Sequence, residues 1–102
     1  MAVKHANREN FRELLSETRP VLVDFYATWC GPCKMLSPVL DRLASEHGEY
    51  VFAKVNVDEE STLAAEFGVA SIPTLVVLKN GKEVRRALGA MPASRVLALL
   101  EE

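Results

Sequence analysis

Cysteine is scarce in this sequence, and the scarcity excludes one class of small protein. The chain of 102 residues contains only two cysteines, Cys30 and Cys33. Small secreted proteins that rely on disulfides carry more cysteines, spread along the chain. A pair this close in sequence cannot hold distant parts of a fold together, so we expect the fold to depend on a hydrophobic core.

Long apolar runs and a large excess of one charge are also absent. The longest apolar run, residues 96–100, is far shorter than the roughly 18 residues that span a bilayer. Lys and Arg number 12 and Asp and Glu number 14, which leaves a net charge of −2 and no basic surface for nucleic acid or anionic lipid. Residues 1–5 contain no hydrophobic segment of a secretory signal. We therefore predict a cytoplasmic protein with no nucleic acid or membrane partner.

The composition that is present is that of one folded domain. Hydrophobic residues make up 49% of the chain and charged residues 25%, values that are ordinary for soluble globular proteins. The length suits one hydrophobic core and leaves no room for a second. We therefore predict a single domain over residues 1–102.

The hydrophobic pattern predicts an α/β fold with a mixed sheet of five strands, flanked by four helices, in the order βαβαβαββα. Residues 21–26 are apolar on both faces, which is typical of a central strand. Asn80 and Gly81 are a strong hairpin signal, and Asn7 is a candidate cap for the first helix. The predicted strands cover residues 3–5, 21–26, 50–57, 74–79 and 82–88, and the predicted helices cover residues 8–16, 34–47, 58–67 and 92–100.

The two cysteines lie between the predicted central strand and the next helix, at an end of the sheet where α/β proteins bind ligands. Cys30 falls at the cap of that helix and Cys33 in its first turn. Unpaired backbone N–H groups and the positive end of the helix dipole stabilise a thiolate at such a cap. Pro32 has a φ suited to the first turn, and Gly31 lets a substrate backbone come close. This arrangement predicts a redox-active pair.

Three other interpretations of the cysteine pair are open from the residues alone. A structural disulfide that closes so short a loop constrains the unfolded chain little. Zinc requires four ligands, of which the cysteine pair supplies two, and His5 and His47 are far apart and lack partner spacing. Two inert buried thiols would not need Trp29 and a Gly-Pro pair around them. Redox chemistry is the interpretation that the residues favour.

Further residues accompany the cysteines at matching separations. They are Trp29-Cys30-Gly31-Pro32-Cys33-Lys34, Asp24, Ile72-Pro73-Thr74, Asn80-Gly81 and Gly89-Ala90. Together they resemble the thioredoxin family over nearly the whole chain. The resemblance implies the thioredoxin fold and reduction of disulfides in target proteins, in which the Cys30 thiolate attacks and Cys33 completes the exchange.

The resemblance also implies partners. An NADPH-dependent flavoprotein, thioredoxin reductase, would recharge the pair, and the targets would include reductases and peroxidases that need a dithiol donor. We expect a monomer without a bound cofactor or metal. A thiol oxidant or isomerase is one alternative, which Gly31 and Pro32 argue against. A redox-independent binding subunit is the other, which the two intact cysteines argue against as a sole role.

Asp24 and Lys54 are charged residues in strands that are otherwise apolar. A buried carboxylate costs several kcal/mol unless it is paired, or else its pKa rises. If the two strands are neighbours, the charges offset each other directly or through water, and a buried structural pair is one interpretation. The resemblance implies another, in which Asp24 is the general acid or base for Cys33 and Lys54 tunes it.

The resemblance further implies a flat apolar docking surface. Its residues are Trp29, Gly31, Pro32, Ile72, Pro73, Gly89 and Ala90. We expect a cis bond before Pro73 and pairing of the Ile72 backbone with an extended substrate. A core Trp and an ordinary turn glycine are the alternative interpretations of Trp29 and Gly89. Tyr26 stands where family members often have Trp, and we expect this change to affect packing without touching the chemistry.

Overall fold

The computed structural model describes residues 3–102, in which strands and helices follow one another in the order βαβαβαββα. Met1 and Ala2, with which the predicted domain begins, lie outside the described residues. The strands are β1 (Lys4–His5), β2 (Val21–Tyr26), β3 (Val51–Asn56), β4 (Thr74–Lys79) and β5 (Lys82–Leu88). The helices are α1 (Phe11–Leu15), α2 (Gly31–Glu46), α3 (Ser61–Glu66) and α4 (Ala93–Glu101). The predicted element order is confirmed.

The strands form one mixed sheet in the order β1-β3-β2-β4-β5. Strand β2 lies in the middle, parallel to β3 and antiparallel to β4. Five of its six residues are buried, as expected for a strand that is covered on both faces. Strand β5 lies at the edge, where its charged side chains reach solvent. The predictions of a mixed sheet and of a central strand over 21–26 are confirmed.

The two faces of the sheet carry separate apolar clusters. Side chains alternate along β2, so that Leu22 packs in one cluster and Phe25 in the other. The Leu22 cluster includes Leu36 of α2 and Val96 of α4, and the Phe25 cluster includes Phe11 of α1. Because Asp24 lies two positions from Leu22, its side chain points to the face that α2 covers.

Two helices, α1 and α3, begin three residues later than the sequence predicts. Asn7 and Asn10 accept hydrogen bonds from each other's backbone N–H, at 2.9 and 2.8 Å, and close a turn, so α1 begins at Phe11 with Asn10 as its cap. The prediction of Asn7 as the helix cap is wrong. Helix α3 begins at Ser61 because the Asn56 side chain accepts hydrogen bonds from the backbone of the following loop.

Residues Asn80 and Gly81 form the predicted hairpin between β4 and β5. Both residues have positive φ, 53° and 79°, as the tight turn of a two-residue hairpin requires. A Cβ on Gly81 would lie 2.7 Å from the backbone oxygen of Leu15. The glycine therefore allows both the turn and its close approach to the end of α1. Among residues 3–102, no helix is both long and apolar enough to cross a membrane.

Candidate active site

Cys30 and Cys33 form a disulfide at the N-terminus of α2, with their Cα atoms 5.2 Å apart. Cys30 is the N-cap of the helix, and its sulfur accepts a hydrogen bond from the Cys33 backbone N–H at 3.2 Å. Helix α2 begins at Gly31, three residues earlier than predicted, and Pro32 lies in its first turn. The predicted place of Cys30 at the cap and of Cys33 in the first turn is confirmed. An N–H group that bonds to the sulfur stabilises it most when it is a thiolate.

The loop before β4 faces the disulfide. The peptide bond between Ile72 and Pro73 is cis, as the family resemblance implies. The Ile72 carbonyl oxygen lies 3.9 Å from the Cys30 sulfur, and Ile72 packs against the cluster that contains both cysteines. Pro73 is buried, and its carbonyl accepts a hydrogen bond from Gly89 at 2.9 Å. This bond brings Gly89, which follows β5, next to the loop that faces the disulfide.

Trp29 is on the surface, with 68% of its area exposed. Its indole N–H donates a hydrogen bond to the Asp58 carboxylate at 2.8 Å. The alternative of a core Trp is therefore wrong. Asp58 was missed by the sequence analysis, because nothing in the local sequence indicates a contact across 29 positions.

The other residues of the predicted docking surface surround the disulfide unevenly. Gly31, Pro32 and Ala90 are exposed, whereas Gly89 is only partly so. Beside Trp29 is a cleft of about 200 Å³. Its lining residues are Trp29, Val57, Val69, Ala70, Ser71 and Ile72. The surface around the cysteines is thus largely apolar and carries a groove.

Two exposed apolar residues near this surface were not predicted. Met35 is 72% exposed in α2, and Leu88, next to Gly89, is 63% exposed. The helical period would have indicated Met35, because it lies off the face formed by Leu36 and Leu40. Leu88 follows the alternation of side chains along the edge strand β5, and nothing else in the sequence indicated that it is exposed.

Asp24 is buried, with 1% of its area exposed. Neither carboxylate oxygen has a hydrogen-bond partner within residues 3–102. Its neighbours in strand register are Lys54 on β3 and Leu75 on β4. Burial raises the pKa of Asp24 from 3.8 to about 7, and the positive charge of Lys54 lowers it in part. The neutral and ionised forms are therefore both populated near neutral pH.

Lys54 is the strand neighbour of Asp24, as the sequence left open, but does not form an ion pair with it. Its ammonium group donates a hydrogen bond to the Ser37 hydroxyl at 3.2 Å and lies 4.5 Å from the centre of the Tyr26 ring. Neither Asp24 oxygen accepts a hydrogen bond from Lys54 or from any other described residue. A cleft of about 210 Å³ reaches from Lys54 to Cys33 along Ser37. Nothing in the sequence pattern indicates a role for Ser37.

Comparisons of the sequence and of the fold with known proteins both identify the family that the sequence motifs resemble. The thioredoxin family model matches residues 2–102. The thioredoxin of Chlorobaculum thiosulfatiphilum is 43% identical over 99 residues, which are 95% of this chain and 92% of that protein.

Two solved structures have the same fold. A thioredoxin variant from Halobacterium salinarum NRC-1 superposes with a TM-score of 0.91 at 37% identity, over 98% of this chain and 88% of that one. A chain from a structural study of thiol resolution in yeast mitochondrial 1-Cys peroxiredoxin via glutathione/thioredoxin systems gives 0.85 at 35% identity, over 95% and 92%. With its disulfide at the N-terminus of α2, this chain is a dithiol–disulfide oxidoreductase and belongs to the thioredoxin family.

Proposed function

We propose that this oxidoreductase works in the reducing direction, with Cys30 as the attacking group. The Cys30 thiolate attacks one sulfur of a target disulfide, and the other target sulfur leaves as a thiolate. Cys33, once deprotonated, attacks the Cys30 sulfur and releases the second target thiolate. Two electrons pass to the target, and the Cys30–Cys33 disulfide forms. The hydrogen bond from the Cys33 N–H to the Cys30 sulfur carries this proposal, because it supports a thiolate at the cap.

The second step requires that the Cys33 thiol lose its proton, and we assign this proton to Asp24. Asp24 points to the face of the sheet that α2 covers, and the cleft along Ser37 joins Cys33 to Lys54, the register partner of Asp24. A group with a pKa of about 7 exchanges protons readily at neutral pH. Ionised Asp24 takes the proton of Cys33, and neutral Asp24 returns it to a departing thiolate. Lys54 adjusts this balance through its charge.

Target proteins dock on the apolar surface around the disulfide. The docking residues that we propose are Trp29, Gly31, Pro32, Ile72, Pro73, Gly89 and Ala90. The exposed Trp29 and the adjoining cleft support a surface that takes up an extended, partly apolar segment. The 3.9 Å between the Ile72 carbonyl and the Cys30 sulfur supports backbone pairing of the segment next to the reacting sulfur.

Membership of the family implies thioredoxin reductase and disulfide-bearing targets as partners in general. We propose an NADPH-dependent flavoprotein as the reductase, and peroxidases and reductases as targets. The similarity to a chain from the peroxiredoxin study supports the first of these target classes. We also propose that residues 1–102 act as one domain, as a monomer and in the cytoplasm. The single sheet that joins all five strands supports the first part.

Reduction of insulin disulfides tests the assigned roles. With dithiothreitol as electron source, wild type should accelerate reduction, and Cys30→Ser should not. Reduced Cys33→Ser, after dithiothreitol has been removed, should attack once and stop as a mixed disulfide that intact-mass measurement detects. If Cys33→Ser turns over as fast as wild type, the assignment of Cys33 to the second step is wrong. If no variant differs from dithiothreitol alone, the chain acts as a redox-independent binding subunit.

Equilibration with glutathione separates the reducing role from the oxidant or isomerase alternative. A reductant becomes oxidised even when glutathione disulfide is a small fraction of the buffer, because its own disulfide is the more stable form. An oxidant stays in the dithiol form in the same buffer. Trapping the thiols with an alkylating agent and weighing the protein gives the two populations.

A further inference from the structure

The Lys54 ammonium group is held by two residues that are not part of the proposed exchange reaction. Ser37 on α2 accepts its hydrogen bond at 3.2 Å, and the Tyr26 ring on β2 lies under it at 4.5 Å. The register partner of Lys54 is Asp24, whose two oxygens are buried without a partner in the described part of the chain. A flexible cation beside a buried carboxylate would ordinarily pair with it. Here the cation is bound elsewhere.

Among the described residues, the strand neighbours of Asp24 provide no cation other than Lys54 for such a pair. On one side its register partner is Lys54, and on the other side it is Leu75, which is fully buried and apolar. Lys34 is an exposed residue of α2 that lines the cleft between Lys54 and Cys33. Burial, together with Glu59 and Asp24, raises the pKa of Tyr26, so its hydroxyl stays neutral at neutral pH. Lys54 is therefore the cation whose position determines how much positive charge Asp24 has nearby.

We propose that Ser37 and Tyr26 are positioning residues that hold the Lys54 ammonium away from the Asp24 carboxylate, and so leave that carboxylate free to take and return the proton of Cys33. The inference rests on the proposed acid–base role of Asp24. The hydroxyl supplies an acceptor, and the ring supplies a face that attracts a cation. A lysine side chain can adopt either place, and these two contacts favour the place away from Asp24. Tyr26 then affects the chemistry, in contrast to the expectation that it changes packing alone.

Ser37→Ala tests the proposal through the titration of Asp24, followed by carboxyl carbon NMR in the disulfide form. Without the hydroxyl, the ammonium moves toward the carboxylate and stabilises its charge. The pKa of Asp24 should then fall from about 7 to about 6 or lower, as expected for an opposite charge at close range. An Asp24 pKa that stays at its wild-type value or rises would overturn the proposal.

Matched variants separate positioning from a general effect on the helix. Ser45→Ala removes a hydroxyl of the same helix that donates to its own backbone, to the Arg42 carbonyl at 2.7 Å, and should leave the Asp24 titration unchanged. Ser37→Thr keeps a hydroxyl that can accept the hydrogen bond of Lys54 and should leave the Asp24 pKa at its wild-type value. Tyr26→Leu removes the ring face and should lower the Asp24 pKa. Tyr26→Phe keeps the ring face and should leave the Asp24 pKa at its wild-type value. A fall in Ser45→Ala equal to that in Ser37→Ala would contradict the proposal.

The Lys54→Met background completes the test. There the Asp24 pKa should lie above its wild-type value, and Ser37→Ala should no longer change it, because no cation remains to be repositioned. A shift that persists without Lys54 would show that Ser37 acts in another way. These titrations do not depend on catalysis. If Asp24→Asn leaves the reduction rate unchanged, the acid–base role fails while the positioning of Lys54 can still be measured.

Discussion

The strands β2 and β5 both carry carboxylates, and their environments are opposite. On the exposed edge strand β5, Glu83 receives two hydrogen bonds from Arg86, at 2.6 and 2.8 Å, which lower its pKa. On the central strand β2, Asp24 is buried without a partner, and burial raises its pKa to about 7. The carboxylate on the exposed strand thus has hydrogen-bond partners, whereas the buried carboxylate, for which a missing partner costs more free energy, has none.

This difference indicates that the fold is less stable than it could be at Asp24, the carboxylate to which we assign a role in the reaction. Exposed ion pairs contribute little, typically less than about 1 kcal/mol. A buried carboxylate without a partner is destabilising once it ionises, and it persists only where the surrounding fold is strong enough. Asp24, which has no partner, lies on the face of the sheet that α2 covers, whereas Glu83, which is paired, lies on the edge strand among charged side chains.

The largest expected effect is on stability in Asp24→Asn. Because the folded pKa of Asp24 lies above its unfolded value, its contribution is fully present below about pH 4 and is lost as the pH rises through about 7. The raised pKa corresponds to about 4 kcal/mol. Asp24→Asn should therefore be more stable than wild type by about 4 kcal/mol near pH 8, and by little at about pH 4. Urea unfolding at the two pH values measures this, and an equal gain at both would contradict it.

The same variant should lose activity while it gains stability. Without a group that takes the proton of Cys33, release of the target should slow by about 10-fold or more near neutral pH. Single-turnover reduction of a target disulfide measures this step. In wild type the rate of this step should follow the ionisation of Asp24, and in Asp24→Asn that dependence on pH should be lost. A variant as fast as wild type would refute the acid–base role.

An intermediate effect is expected at the turn that joins the edge strand to its neighbour. Gly81→Ala places a Cβ at positive φ and within 2.7 Å of the Leu15 backbone oxygen. We expect a loss of about 2 kcal/mol. Disulfide reduction should keep its wild-type rate, because the turn lies beside the start of β2 and the cysteines follow its end. Thermal unfolding checks the first expectation and the insulin assay the second. A neutral substitution would mean that the turn accommodates a side chain by moving away from α1.

The smallest effect is expected for Glu83→Gln, the same carboxylate-to-amide change at the edge. The folded pKa of Glu83 is lowered by Arg86, so its contribution is present above the unfolded pKa and is lost as the pH falls through the folded value. The variant should lose at most about 1 kcal/mol at neutral pH and nothing in strong acid. Its sign and its pH dependence are thus opposite to those of Asp24→Asn. A gain at neutral pH would remove the contrast between edge and centre.

The sequence was informative wherever a local pattern determines local structure. The apolar run over 21–26 indicated the central strand, Asn80-Gly81 the hairpin, and the Cys30 position the helix cap. The charges of Asp24 and Lys54 stood out in apolar strands. That these strands are neighbours was an open condition in the sequence, and the register of β2 and β3 confirms it.

Contacts between side chains distant in sequence were not predictable. Lys54 has more than one partner within its reach, and only the packed fold decides that Ser37 and Tyr26 bind it. The hydrogen bond from Trp29 to Asp58 has the same origin. Local turns formed by asparagine side chains delayed two helix starts, since such side chains compete with the helix for backbone N–H groups.

Alkylation of the reduced protein by iodoacetamide across a range of pH tests most directly whether Cys30 is held as a thiolate at the helix cap. The account predicts that Cys30 is modified first, and that half of its maximal rate is reached at a pH well below the value of about 8.5 for a free cysteine. Peptide mass analysis assigns the modified residue. Modification of Cys30 that is no faster and no more acid-shifted than that of a free cysteine would contradict the account.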